Sequence, residues 1–177
     1  SIIAVAETVL VPEDYPTVNE ALEYLSKKYP TYKENGIACE ISLADGYVIA
    51  EQILVDGVDL SWITLVSRST TGVGYESGKH LVDRSALTTN FTDADYGFTS
   101  YPVLGAKKGG KSPVLSFILD CQVELGSGID TDGKMGIVAI GGGIVNCIKT
   151  AGAIKCSAFG IYARGCLLYT SDAADEE

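Results

Sequence analysis

The sequence predicts an all-β chain, a solenoid of short strands with one α-helix at its amino end, and three observations predict it. First, Leu115, Phe117, Leu119, Cys121, Val123 and Leu125 occupy every second position, with Ile118 the one apolar residue out of phase. That is the pattern of a strand with one buried face. Second, Gly136-Ile137-Val138-Ala139-Ile140 is echoed 24 residues later by Gly160-Ile161-Tyr162-Ala163-Arg164. A repeat of that length made of strands and turns is a solenoid signature. Third, Val18, Ala21, Leu22 and Leu25 recur at helical spacing behind Thr17 and Glu20, a threonine–glutamate capping box.

The elements follow in order. An apolar start at Val9-Leu10-Val11 leads into that helix, which Pro30 and Asn35-Gly36 stop. A helix in this place would cover the open apolar end of the first coil. Ile37, Cys39, Ile41 and Leu43 then alternate with Ala38, Glu40, Ser42 and Ala44, and Asp45-Gly46 turns the chain into Tyr47-Val48-Ile49. Gln52 to Val55 ends at a second turn, Asp56-Gly57, and Leu60 to Val66 is a further run containing Trp62. Ile41 to Ile63 spans 22 residues, close to the later repeat; a hairpin meander explains the two Asp-Gly turns as well. Arg68 to Lys111 breaks the pattern and is expected to form projecting loops and irregular strands. The expected organisation is a strand and capping helix over residues 1–36 and coils over 37–165, with an irregular insertion at about 68–112.

Among 177 residues, 46% are apolar and 20 are glycine, enough for one turn-rich domain with a core of its own. No run approaches the roughly 20 apolar residues of a membrane helix, so membrane insertion is not expected. A formal charge of −10 argues against nucleic acid or an anionic membrane as partner, since either calls for a basic face. Met135 is the only methionine and Ser1 to Leu10 lacks signal-peptide features, so the chain is expected to begin inside a longer protein. Cys166 to Asp175 resembles the translation of a transposase sequencing adaptor, and residues 166–177 are set aside as a non-native tail. Cys39, Cys121, Cys147 and Cys156 sit among apolar strand residues and are expected as buried thiols, with two disulfides as the alternative. No Cys-x-x-Cys occurs and His80 is the only histidine, so neither a zinc site nor a Ser-His or Cys-His nucleophile is expected. No cofactor is expected.

Gly105-Ala-Lys-Lys-Gly-Gly-Lys-Ser112 fits a phosphate-binding loop, but that chemistry needs a helix beginning at Lys111-Ser112, and the period-two run from Leu115 denies it one. Asp120 and Glu124, on the outward face of one strand, would stand roughly 13 Å apart, too far for a glycosidase pair. Asp130 and Asp132 open like a calcium loop without its remaining ligands, so turn capping is the expected role, as for Asp93 and Asp95. Lys149, Lys155 and Arg164 read as solvated surface. Tyr75, Tyr96 and Tyr101 suit sugar stacking, or else pack a loop or a neighbouring subunit. The candidate ligand-binding residues are therefore Asp120, Asp130, Asp132, Tyr96 and Tyr101, with no catalytic set and no metal ligands.

Val11-Pro-Glu-Asp-Tyr-Pro-Thr-Val-Asn-Glu-Ala-Leu-Glu-Tyr-Leu25, followed by Glu40-Ile-Ser-Leu-Ala-Asp-Gly-Tyr47, resembles the first helix, strand and turn of pectate-lyase-like proteins, in particular bacteriophage tailspikes and tail appendages. The resemblance spans about residues 9 to 66. It implies a single-stranded right-handed parallel β-helix (a pectin-lyase-like solenoid) with an N-terminal capping α-helix. It further implies a fragment of a virion tail protein, homotrimeric and acting outside the cell, that binds host cell-surface polysaccharide. The alternative is a polysaccharide-degrading lyase or glycoside hydrolase of the same class, viral or secreted.

Overall fold

Parallel pairing governs how this chain closes on itself. The structure is a computed structural model and describes residues 4–69, 78–92, 99–121, 133–147, 161–165 and 167–170. Strands β1 (Val5–Val11), β2 (Ala38–Leu43), β4 (Ile63–Ser67), β7 (Val114–Leu115), β10 (Ile144–Cys147) and β12 (Leu167–Thr170) form a six-stranded sheet in that order. A four-stranded sheet runs β11 (Ile161–Arg164), β9 (Lys134–Ile140), β6 (Tyr101–Lys107), β3 (Ile53–Asp56), and β5 (Lys79–Leu81) pairs with β8 (Ile118–Asp120) in a third. Every pairing among the described residues is parallel.

This architecture corrects the expected single-stranded right-handed β-helix: among the described residues the strands stand in three separate parallel sheets accompanied by one α-helix. Short alternating runs reveal that strands exist and which face is apolar, but not how they are shared among sheets. The meander alternative also falls. Gly46 and Gly57 do turn with φ of +74° and +71°, yet β2 leads into β3 of another sheet and pairs with β4 beyond it. The 19 residues between Leu43 and Ile63 supply the long crossover that a parallel pair requires.

Register is set by columns of buried residues. Val9, Ile41, Leu65, Leu115 and Cys147 are successive partners across the six-stranded sheet, each 7% exposed or less. Ile53, Leu104 and Ile137 do the same across the four-stranded one. The 24-residue echo is the pairing of Ile137 with Ile161. In the earlier part Ile63 pairs with Cys39, and Ile41 with Leu65, so the step there is 24 residues rather than the 22 read between Ile41 and Ile63.

Two further expectations change. Leu115 to Leu125 is not one half-buried strand: β7 ends at Leu115, β8 spans Ile118–Asp120, and Ile118, Leu119 and Asp120 are all buried. Asp120 is therefore not on an outward face; packing on both sides of β8 removes it from solvent. Within the stretch expected as irregular insertion, Tyr101–Lys107 is β6, an inner strand buried at five consecutive positions. A strand covered on both faces reads as a continuous apolar run, so alternation is absent there.

Helix α1 (Val18–Lys28) buries Val18, Ala21, Leu22 and Leu25 and lies against β1 and β2. Thr17 Oγ1 accepts from the Glu20 amide at 3.2 Å, but Glu20 takes the Thr17 hydroxyl rather than the cap amide. The next two amides are met from afar: the Glu51 carboxylate accepts from the Val18 and Asn19 amides at 2.9 and 2.8 Å, placing negative charge at the helix amino end. At the carboxyl ends of β1, β2 and β4, the Arg68 guanidinium donates to the Val11 and Ser42 carbonyls and pairs with Glu13.

A Cβ on Gly143 would lie 2.1 Å from the Ala106 carbonyl oxygen, backbone that cannot swing aside. Gly143→Ala is expected to cost about 1–3 kcal/mol or more, read as a lowered urea midpoint. Gly36→Ala, with φ of +62° but open space around it, should cost about 1–2 kcal/mol.

Candidate functional site

The carboxyl end of α1 and the start of β4 meet in a cluster of aromatic rings. Tyr29 caps the helix, its amide donating to the Leu25 carbonyl at 2.9 Å, and Pro30 prevents the helix from continuing. The turn that follows returns Tyr32 over Trp62, ring centroids 4.7 Å apart and planes 10° from parallel. Tyr29 meets Trp62 edge-on at 6.3 Å and 75°. Offset stacks and edge contacts of this kind hold aromatic side chains in fixed orientations. Trp62 Nε1 donates to the Asp59 carbonyl at 3.0 Å, and the Asp59 carboxylate accepts from the Ser61 amide and hydroxyl at 2.9 and 2.6 Å.

These rings border a groove of about 350 Å³, completed by Pro30, Val58, Leu60 and the side of Asp59. Val58 is 53% exposed, an apolar side chain at the rim. Burial, with the charges of Asp59 and Glu34, holds the Tyr32 phenol above its ordinary pKa. Tyr29 is raised too, first because its hydroxyl donates to Glu7 at 2.8 Å. Burial pushes the Glu7 carboxyl up, but bonds from Lys28, Tyr24 and Tyr29 outweigh it and leave it below the ordinary value. Both phenols are thus hydroxyls at neutral pH, that of Tyr29 engaged with Glu7. A more open depression of about 520 Å³ lies along the outer side of α1 near Tyr15 and Tyr24. Its charged groups are engaged, Lys27 with Glu23 and Lys28 with Glu7, so it offers less to a ligand.

At the other end of β4 lies a polar pair that the sequence does not announce. Ser67 Oγ is 2.5 Å from His80 Nε2, and His80 Nδ1 is 2.8 Å from the Tyr47 carbonyl oxygen. A carbonyl only accepts, so Nδ1 carries the proton and Nε2 accepts from the serine. Ser67, the last residue of β4, and His80, the middle residue of β5, meet beside the Tyr47 turn, thirteen residues apart in sequence. The histidine is 1% exposed and meets the edge of Phe117 at 4.9 Å.

The predicted candidates fare differently. Asp120 is buried in β8, with an oxygen 3.7 Å from Lys79 Nζ. Tyr101 is half-buried at the start of β6, packs on the main core and is not among the residues that line the groove. Asp130, Asp132 and Tyr96 lie outside the described residues, as do Tyr75, Asp93, Asp95, Glu124, Lys149 and Lys155. The phosphate-loop look-alike is the end of β6, a turn at Lys108-Gly109, and an isolated bridge at Lys111, with β7 rather than a helix after it. Cys39, Cys121 and Cys147 are buried thiols, and burial pushes Cys147 up to about 11; Cys156 lies outside the described residues. Among the described residues no three potential ligands gather as a metal site, and no helix is long and apolar enough to cross a membrane.

Tyr29, Tyr32 and Trp62 do not stand out as a group in the sequence. The available signal is local: two tyrosines flanking Pro30-Thr31 just past a helix, and the chain's only tryptophan. Comparison of the chain with protein-family models, curated proteins and solved structures finds no match.

Burial holds the His80 imidazole below its ordinary pKa of 6.5, against the Tyr47 carbonyl and Asp45, which raise it. A depressed histidine contributes stability that is complete above pH 6.5 and is lost as pH falls through the lowered native value. The urea midpoint should therefore drop between pH 7 and pH 5.5, and that slope should shrink in a His80→Gln variant.

Proposed function

We infer that this chain is part of an extracellular carbohydrate-binding protein, of the bacteriophage tailspike or tail-fibre kind, and that it takes host cell-surface polysaccharide at the Tyr29–Tyr32–Trp62 groove. The observation that carries the reading is that groove. Sugar rings present apolar C–H faces ringed by hydroxyls, and a fixed set of aromatic faces with hydroxyl and carboxylate acceptors at the edge is the matching surface. Tyr32 and Trp62 are already held in place by stacking, so little side-chain entropy is lost on binding. Asp59, locked by Ser61, adds an acceptor for sugar hydroxyls.

The viral assignment draws on the likeness of Val11 to Leu25 and Glu40 to Tyr47 to tailspike sequences, and so does the proposed homotrimer. The binding assignment stands on the groove independently of it. A formal charge of −10 accords with a partner that is not nucleic acid.

Titration calorimetry or glycan-array binding with neutral oligosaccharides tests the reading. Trp62→Ala and Tyr32→Ala should each weaken binding about tenfold, the loss of one stacking contact of roughly 1.4 kcal/mol. Tyr101→Ala, outside the groove lining, should leave affinity unchanged. Binding that is indifferent to Trp62 and Tyr32 would remove the groove from the account.

A further inference from the structure

We propose that Ser67 and His80 form a nucleophile–base pair that transfers acyl groups from small carboxylic esters to water. The geometry meets the requirements in order. The base lies within hydrogen-bond reach of the nucleophile, Nε2 to Oγ at 2.5 Å, and a third group orients the base, Nδ1 to the Tyr47 carbonyl at 2.8 Å. The tautomer follows from that carbonyl, which leaves Nε2 as the acceptor. Phe117 holds the ring plane from one side. The Ser69 amide donates to Ser67 Oγ at 2.9 Å, fixing the serine rotamer and leaving one lone pair for attack.

Access is one-sided, as such a pair needs. The imidazole is enclosed at 1% exposure, whereas Ser67 is only partly buried at the surface end of β4. An ester, its leaving alcohol and the incoming water therefore all meet Nε2 from the Ser67 side. The charged group that acts on the ring is Asp45, in the turn after β2; Lys79, the neighbour of His80 in β5, pairs with Asp120 of β8 instead. Burial disfavours the imidazolium that forms as the serine loses its proton, and the Tyr47 carbonyl and Asp45 offset part of that cost.

The proposed step balances without a further reactant. Ser67 Oγ bonds to the ester carbonyl carbon while its proton passes to Nε2. The bond to the leaving alcohol breaks, and Nε2–H returns the proton to that alcohol's oxygen. Water then adds to the acyl-serine, giving a proton to Nε2; the carboxylic acid departs and the proton restores the serine hydroxyl. Ser67 lies at the opposite end of β4 from Trp62, five residues or roughly 16 Å away. Ester cleavage and groove binding are therefore separable.

The test treats the full chain with a fluorophosphonate probe and maps the adduct, alongside hydrolysis of p-nitrophenyl acetate. Labelling at Ser67 and a loss of at least about a hundredfold in hydrolysis on Ser67→Ala is the expected result. Because Ser67→Ala leaves a buried nitrogen without its donor, a second variant guards against misfolding. In Ser67→Cys, the new thiol beside His80 should be alkylated by iodoacetamide well below the ordinary thiol pKa of about 8.5, and faster than Cys39, Cys121 or Cys147. No adduct at Ser67 in the folded chain, or a Ser67→Cys variant whose introduced thiol reacts only as an ordinary thiol does, would overturn the proposal and leave the pair as a buried hydrogen bond.

Discussion

The structure depends on one constraint: apolar side chains in parallel strands must sit above one another in register, sheet position by sheet position. Val9, Ile41, Leu65, Leu115 and Cys147 form such a column. Each fully buried aliphatic member contributes about 1.5–3 kcal/mol relative to exposure. A one-residue slip would turn the column outward and bring neighbours such as Glu40 and Thr64 into its place. Register is thus fixed by burial, and the turns need only be long enough to let the next strand arrive. That tolerance is visible in the chain, where the step from Ile41 to Leu65 is 24 residues and the next, from Leu65 to Leu115, is 50.

The same constraint explains where the two side-chain clusters lie. Strand ends must leave the column, and the groups that leave with them are the ones that can face a ligand. At the start of β4, Trp62 precedes the first buried residue, Ile63, and receives Tyr29 and Tyr32 from the end of α1. At the finish of β4, Ser67 follows the buried run and meets His80 from β5. Long-range polar clasps tie elements elsewhere: Glu51 on the α1 amides, Arg68 across the ends of β1, β2 and β4, and Gln52, which bonds Thr88 and Thr89 amides and the Thr89 and Pro102 carbonyls. Each satisfies backbone groups that a strand or helix end would otherwise leave unmet.

Much of this was legible in the sequence where a single face is buried. The stripe of α1 and the 24-residue echo both correspond to observed contacts, because period and repeat are local properties of the chain. Sheet membership was not legible. β6 and β8 are buried on both faces, whereas Tyr101 to Lys107 reads as part of a stretch of loops and irregular strands and Ile118 to Asp120 as part of a longer alternating, half-exposed strand. The site was hidden for a different reason. Tyr32 meets Trp62 across thirty residues, and His80 meets both Tyr47 and Ser67, so neither cluster has a spacing that marks it in one dimension. A lone histidine suggests the absence of a nucleophile system, although one histidine is all that a serine–histidine pair requires.

The most direct test of the central claim is the pattern of interstrand nuclear Overhauser contacts in the chain labelled with 15N and 13C. The account predicts contacts that join Ile41 to Leu65 and Leu65 to Leu115, with the spacing of parallel strands, and no close Hα–Hα pairs between β2 and β3. Strong Hα–Hα contacts across the Asp45-Gly46 or Asp56-Gly57 turns would instead show antiparallel hairpins, and the register that places both ends of β4 would be wrong.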